Sequence, residues 1–209
     1  MHIGPGKTGT SYLQSVFWSS LDALAVQGLV LPLEKRDHFY AALALRGLLT
    51  DEAFPPEAFT ALDRLRTAVA SVPQNFDVLI TQERLASSTP AQVRELLDVV
   101  PGWEVHVIIT ARDLGRQIPS VWQQMIKKGL SIGYDEFLEA VVEDSALAMD
   151  FWARQDLAVV AAHWSNAGHP ERTHIVTIPP PRDRLETYCS NASAQWSRRI
   201  PAGSTPQQR

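Results

Sequence analysis

The run Glu104-Val-His-Val-Ile-Ile-Thr110 restricts the fold more than any other stretch of this chain. A strand that is apolar along almost its whole length, rather than at alternate positions, must be covered on both faces. That is the pattern of a parallel sheet with helices on either side. Asp77-Val-Leu-Ile-Thr81 reads the same way, and shorter strand runs lie at Met1–Ile3, Leu29–Leu31 and Thr173–Ile178. Helical patterns fill the intervals, over 10–27, 35–49, 56–72, 90–100, 116–128, 134–144 and 150–166. The helix that runs to Val100 is opened by Thr89-Pro90, an N-cap followed by proline at the first helical position. Strands separated by helices predict an α/β fold with a mostly parallel sheet flanked by helices. No internal repeat is visible. After Pro179-Pro-Pro181 the periodicity fades, so the division is a domain over 1–180 and a mobile, irregular tail over 181–209.

The 209 residues suit one domain, and 45% hydrophobic content supports a sizeable core. A net charge of −4 argues against nucleic acid as partner, which requires a basic face, but leaves room for a local basic pocket. The single cysteine, Cys189, has no internal partner and fits a reducing cytoplasm. No secretory segment is recognisable and no apolar run reaches about 18 residues, so the expectation is a cytoplasmic chain with no membrane span. The triplet Asn191-Ala192-Ser193 is a formal glycosylation sequon that has no meaning in that compartment.

The chemistry begins at Gly4-Pro-Gly-Lys-Thr-Gly-Thr-Ser11, between the first strand and an amphipathic helix. Glycines at 4, 6 and 9 let the backbone bend with positive φ and approach a ligand without Cβ clashes. A tight turn feeding a helix N-terminus is an anion site, because unpaired N–H groups and the helix dipole both favour negative charge. Lys7 adds a full positive charge, and Thr8, Thr10 and Ser11 add hydroxyls. The implied ligand is a phosphate or a group shaped like one. The Walker pattern G-x-x-x-x-G-K-[ST] does not fit, because Thr10 follows Gly9 where lysine should stand and Lys7 precedes it.

A second anion-binding pair is spaced along the chain. Arg112 follows the strongest strand, and Ser120 follows it in an Arg-x7-Ser arrangement. Proline costs about 3 kcal/mol inside a helix but is tolerated in its first turn. Pro119 therefore predicts a helix start near 116–118, with Ser120 close to its anion-attracting end. A guanidinium and a hydroxyl so placed would grip one phosphate.

The order Gly6-Lys-Thr-Gly-Thr-Ser-Tyr-Leu13 resembles the 5′-phosphosulfate loop P-K-x-G-T-[ST]-x-L of the sulfotransferases that use 3′-phosphoadenosine 5′-phosphosulfate (PAPS), with Gly6 in place of the proline. Arg112-Asp-Leu-Gly-Arg-Gln-Ile-Pro-Ser-Val-Trp-Gln-Gln124 is similar to the 3′-phosphate segment of the bacterial, carbohydrate-type branch. The resemblance covers roughly 1–180. It implies a P-loop nucleotide-binding-like three-layer sandwich and a metal-independent enzyme. In that enzyme Gly6, Lys7, Thr8, Gly9, Thr10 and Ser11 hold the phosphosulfate, while Arg112 and Ser120 anchor the 3′-phosphate. Lys7 would also neutralise charge growing on the leaving phosphate, and adenosine 3′,5′-bisphosphate would be the product.

Glu83 follows the strand Asp77–Thr81, at the same sheet end as the loop and Arg112. In isolation it reads as a solvated loop charge. Within hydrogen-bond reach of an acceptor hydroxyl it would serve as general base, and the resemblance to carbohydrate-type members implies that role. Trp122, Gln123 and Lys127 are the acceptor-side candidates, for a carbohydrate or small-molecule hydroxyl. His163, His169 and His174 lack a regular ligand spacing, so no metal is expected. His106 is expected to be a satisfied core residue, and Trp152 and Trp164 to be core. Two other readings accompany the sulfotransferase. One is a P-loop-like nucleotide kinase or NTPase, which would need a Mg²⁺-binding acid that no strand end here supplies. The other is a non-catalytic nucleotide-binding remnant, consistent with a first strand that is expected to be short and with Ala194-Gln195 after the Asn191 triplet, where bacterial members continue differently. The acceptor identity and the oligomeric state have no code in the sequence.

Overall fold

In the computed structural model, residues 1–50, 53–145, 149–167 and 170–179 are described. The expected tail, Cys189, the Asn191 triplet and His169 lie outside them.

Among the described residues five short strands, all paired in parallel, form two ladders. β1 (His2–Ile3), β4 (Val107–Ala111) and β5 (Thr173–Thr177) form one ladder in the order β1-β4-β5, with Ile3 opposite Ile109 and Ile109 opposite Ile175. β2 (Leu29–Val30) and β3 (Asp77–Val78) form a second. The chain leaving β3 joins the two: Thr81 bridges His2 in parallel, His2 N donates to Ile80 O (2.8 Å) and Gln82 N donates to His2 O (3.2 Å). Across the molecule the strands therefore run β2-β3-β1-β4-β5, with their carboxyl ends on one edge.

The helices are α1 (Thr10–Ser19), α2 (Leu21–Val26), α3 (Lys35–Leu45), α4 (Pro56–Phe59), α5 (Ala61–Ala70), α6 (Pro90–Leu97), α7 (Leu114–Ile126), α8 (Tyr134–Val142), α9 (Met149–Gln155) and α10 (Leu157–Ala167). Ile3, Val107 and Ile109 point into the main core, where Ala41 and Leu45 of α3, Leu65 of α5, Leu96 of α6 and Trp164 of α10 close over them. A second apolar cluster, Val121, Phe137, Ala140, Val141 and Phe151, ties α7, α8 and α9 together.

The expected α/β architecture holds at this level, as a small parallel sheet flanked by helices. Several boundaries differ. The single helix expected over 10–27 breaks at Ser20 (φ −124°, ψ 23°), whose amide turns back to Phe17 O at 3.1 Å while Ser19 Oγ bonds Val16 O at 3.0 Å. Adjacent serines offer the backbone local bonds that compete with the helical ladder. The helix expected over 35–49 stops at Leu45, because Gly47 at φ 63° closes a Schellman turn in which Gly47 N bonds Ala44 O and Leu48 N bonds Leu43 O. Similarly, 56–72 divides at Thr60.

α7 is the correction that bears on function. It starts at Leu114, not at 116–118, because Asp113 caps it: Asp113 Oδ1 accepts the Arg116 amide at 3.0 Å. Pro119 thus lies inside the helix, where its ring is tolerated at a cost the cap and the packing of α7 offset.

Candidate functional site

Three connections meet at the carboxyl edge of the sheet. The first is the glycine-rich turn between β1 and α1. A Cβ on Gly4 would lie 2.1 Å from Thr110 Oγ1 and 2.8 Å from Thr110 O, so only glycine fits. Thr8 is fully buried, and its hydroxyl donates to Pro5 O at 2.7 Å and lies 3.0 Å from Thr110 Oγ1. The turn is therefore bolted to β4, and the Thr8 hydroxyl is structural. Lys7 (φ 69°) and Gly9 (φ 77°) adopt left-handed backbone on either side of Thr8. Gly9 caps α1, and the first intrahelical bonds come from Tyr12 and Leu13 N–H to Gly9 O (3.1 and 3.2 Å). The amides of Thr10 and Ser11 precede these bonds, and with the helix dipole they form the positive end that attracts an anion.

Arg112, leaving β4, is the second connection. One guanidinium nitrogen donates to Lys7 O (3.3 Å) and to Ser120 Oγ (3.4 Å), so the expected Arg-x7-Ser pair does come together against the loop. It does so by a different route from the sequence expectation. Ser120 sits in the second turn of α7, its hydroxyl donating to Arg116 O at 2.8 Å, rather than at the helix N-terminus. Arg112 Nε is buried and has no partner. A buried charged donor without an acceptor is costly, and an anion lying against Arg112 and the α1 N-terminus would satisfy it. The residues present thus fit a phosphate-bearing ligand.

Arg116 closes the rim. Its guanidinium pairs with Asp113 and also donates to Ile178 O and Pro179 O, both at 3.2 Å. The hydrogen bond from Arg116 holds the Asp113 carboxyl below its ordinary range. The chain after β5 is thereby drawn over the loop, where Ile178 Cδ1 lies 2.7 Å from the point a Gly9 Cβ would occupy.

Glu83, beyond β3, is the third connection, and its Oε2 accepts from Thr10 Oγ1 at 2.8 Å. The candidate base and the glycine-rich turn are thus in direct contact. Behind them two buried histidines hold Thr81. His2 Nδ1 lies 2.8 Å from Thr81 Oγ1, while Thr81 N donates to His38 Nδ1 at 3.2 Å. His38 Nε2 donates to Pro32 O at 2.7 Å, which fixes its neutral tautomer. Burial lowers both imidazoles, His2 to about 3, with a nearby positive charge adding to the effect at His2.

An open cleft of about 480 Å³ adjoins Glu83. Ser11 and Gln14 of α1 form one side, Lys35, Arg36 and Phe39 of α3 the other, and Gln82–Arg84 the floor. Sequence reading did not single out Gln14, Lys35, Arg36 or Phe39, and it reached Arg84 only as part of the strand end Thr81–Arg84. The capping box of α3, Glu34 with Asp37, was a readable signal for a helix that begins on two cations.

Other candidates are placed elsewhere. The Lys7 amine donates to Gln124 Oε1 of α7 at 2.7 Å. Trp122 turns into the second apolar cluster, its indole N–H donating to Ile132 O at 3.2 Å, whereas Gln123 is exposed on α7 and Lys127 is exposed at its C-cap. Trp164 is core, as expected, and Trp152 is half-buried against the second cluster with its N–H on Val141 O (2.9 Å). His106 is not a core residue: it is half-buried ahead of β4, stacked on His174 at 5.3 Å and bonded to Glu104 Oε1 at 3.1 Å. Among the described residues no three His, Cys, Asp or Glu side chains are grouped to hold a metal ion, and no helix is long and apolar enough to cross a membrane. Comparison with protein-family models, curated proteins and solved structures finds no match to this chain.

Proposed function

We propose that this protein is a PAPS-dependent sulfotransferase acting on a hydroxyl, built on a P-loop-like arrangement of the strands β2-β3-β1-β4-β5. The observation that carries the reading is Arg112. Its guanidinium spans Lys7 O and Ser120 Oγ and keeps Nε buried without an acceptor, beside the N-terminus of α1. This arrangement supports a site for a second, 3′-phosphate, which AMP and ATP do not have.

When bound, PAPS supplies the transferable group: the acceptor oxygen forms the new O–S bond, the bond from sulfur to the 5′-phosphate oxygen breaks, and the electron pair leaves with that phosphate. The chain's own residues do the rest. The amides of Thr10 and Ser11 and the Lys7 ammonium attract and hold the 5′ side, Lys7 after exchanging its bond to Gln124. Arg112 and Ser120 orient the 3′ side. Glu83, facing the cleft, takes the acceptor proton. Because Thr10 Oγ1 donates to Glu83, a Thr10 hydroxyl recruited to the phosphosulfate frees that carboxylate oxygen for the proton. Positioning and charge stabilisation, rather than a covalent intermediate, carry this reaction.

Calorimetry tests the reading. Adenosine 3′,5′-bisphosphate is expected to bind at least about tenfold tighter than AMP or ATP without Mg²⁺, since one charge-assisted contact contributes about 1.5–3 kcal/mol. Equal affinity for AMP and the bisphosphate, or tighter Mg²⁺-dependent ATP binding, would refute it.

A further inference from the structure

The cleft beside Glu83 is more cationic than a neutral acceptor requires. Lys35, Arg36 and Arg84 line it against one carboxylate, Glu83, which is already hydrogen-bonded by Thr10. At the start of α3, Asp37 is paired with Arg64 at 2.8 Å, and the N-cap residue Glu34 is exposed. Arg84 is held in place, its guanidinium carbon 5.2 Å from the centroid of the Phe39 ring. Burial together with the charges of Arg154 and Arg84 lowers Arg46, so the positive field extends behind Arg84. Gln14 adds an independent sign of a ligand. It lines the cleft, is only 5% exposed, and its Nε2 is buried without a partner. A buried amide N–H calls for an acceptor oxygen.

We infer that the acceptor carries a carboxylate as well as the hydroxyl that reacts, as a uronic acid or a hydroxy acid does. The inference rests on the sulfotransferase reading and adds the substrate class to it. Guanidinium forks match a planar carboxylate, so Arg36 and Arg84, with Lys35, take the acid group. Gln14 donates to a neighbouring oxygen, and the hydroxyl is left facing Glu83. The cations lie on the α3 side of Glu83, whereas the phosphate site lies on the α1 N-terminal and α7 side, so the two anions do not compete for Arg112.

The test uses 4-nitrophenyl β-D-glucuronide and its neutral counterpart 4-nitrophenyl β-D-glucoside, titrated with and without saturating adenosine 3′,5′-bisphosphate. The wild type is expected to bind the glucuronide at least about tenfold tighter, equivalent to about 1.4 kcal/mol, with a preference that shrinks as salt is raised. Arg84→Gln and the exposed pair Lys35→Gln/Arg36→Gln are expected to bring the two affinities together while leaving bisphosphate binding unchanged, which also shows that they fold. Equal affinities in the wild type, no glucuronide binding at millimolar concentration, or a preference untouched by these variants overturns the inference even if the bisphosphate binds. If instead the bisphosphate does not bind while the glucuronide preference persists, the sulfotransferase reading falls, and the cleft's assignment as an acceptor site falls with it.

Discussion

Mild acid is the perturbation to which this fold is expected to be most sensitive. His2 and His38 are buried as neutral rings at the junction of the two ladders, and His38 accepts the Thr81 amide on Nδ1. A proton on that nitrogen would set two donors against each other. Burial lowers the His2 pKa from 6.5 to about 3, and His38 moves in the same direction. A lowered folded-state pKa means that the unfolded chain binds the proton more readily. The stabilisation is therefore complete above the unfolded value of 6.5 and is lost progressively as the pH falls toward about 3. At about pH 5 the loss from His2 alone is about 2 kcal/mol, from about 1.5 pH units at about 1.4 kcal/mol each. His38 adds to it. Urea unfolding at about pH 7.5 and about pH 5 reads the difference, in a window where ordinary carboxylates hardly titrate. His38→Gln keeps the donor to Pro32 O but cannot be protonated, so it is expected to start less stable and to lose less on acidification. Stability that is flat across this window, or imidazole NMR signals that titrate at the ordinary histidine value, would refute the reasoning.

Three further outcomes are expected. Glu83→Gln should leave bisphosphate affinity nearly intact and lower turnover about 10²–10⁴-fold in a sulfuryl-transfer assay, the usual loss for a positioned base. Gly4→Ala should destabilise by at least about 1–3 kcal/mol in urea melts, since the new methyl meets Thr110 in a packed interior. Gly47→Ala meets nothing within 4 Å, so it isolates the cost of φ 63° for an alanine, about 1–2 kcal/mol by the same measurement.

The parallel sheet and the convergence of three strand ends were legible because apolar runs and intervening helical periods are set by burial, which the sequence records directly. Glu104–Thr110 announced β4, and the loop, Glu83 and Arg112 fell at its edge as the topology requires. Where local rules competed, sequence alone misjudged the outcome. Pro119 signalled a helix start, yet the Asp113 cap three residues before Arg116 decided it. The Ser19–Ser20 break and the Gly47 turn were written in the sequence but blurred by a longer helical period. The cationic wall of the cleft was invisible for another reason. Arg84 is far in the chain from the adjacent Lys35 and Arg36, and each alone is an ordinary surface charge. Only the packing of α3 against the turn Glu83–Ser87 gathers them. The roles of His2 and His38 depend in the same way on Thr81, a partner that no spacing rule links to both.

One thermodynamic cycle tests the proposed 3′-phosphate site at Arg112: bisphosphate and AMP, each titrated into the wild type and into Arg112→Ala, with thermal unfolding as the folding control. Arg112→Ala is expected to weaken the bisphosphate by about 1.5–3 kcal/mol while leaving AMP almost unchanged, so that the selectivity collapses. A parallel loss for both ligands, or a wild type that does not distinguish them, would contradict a site for the 3′-phosphate at Arg112.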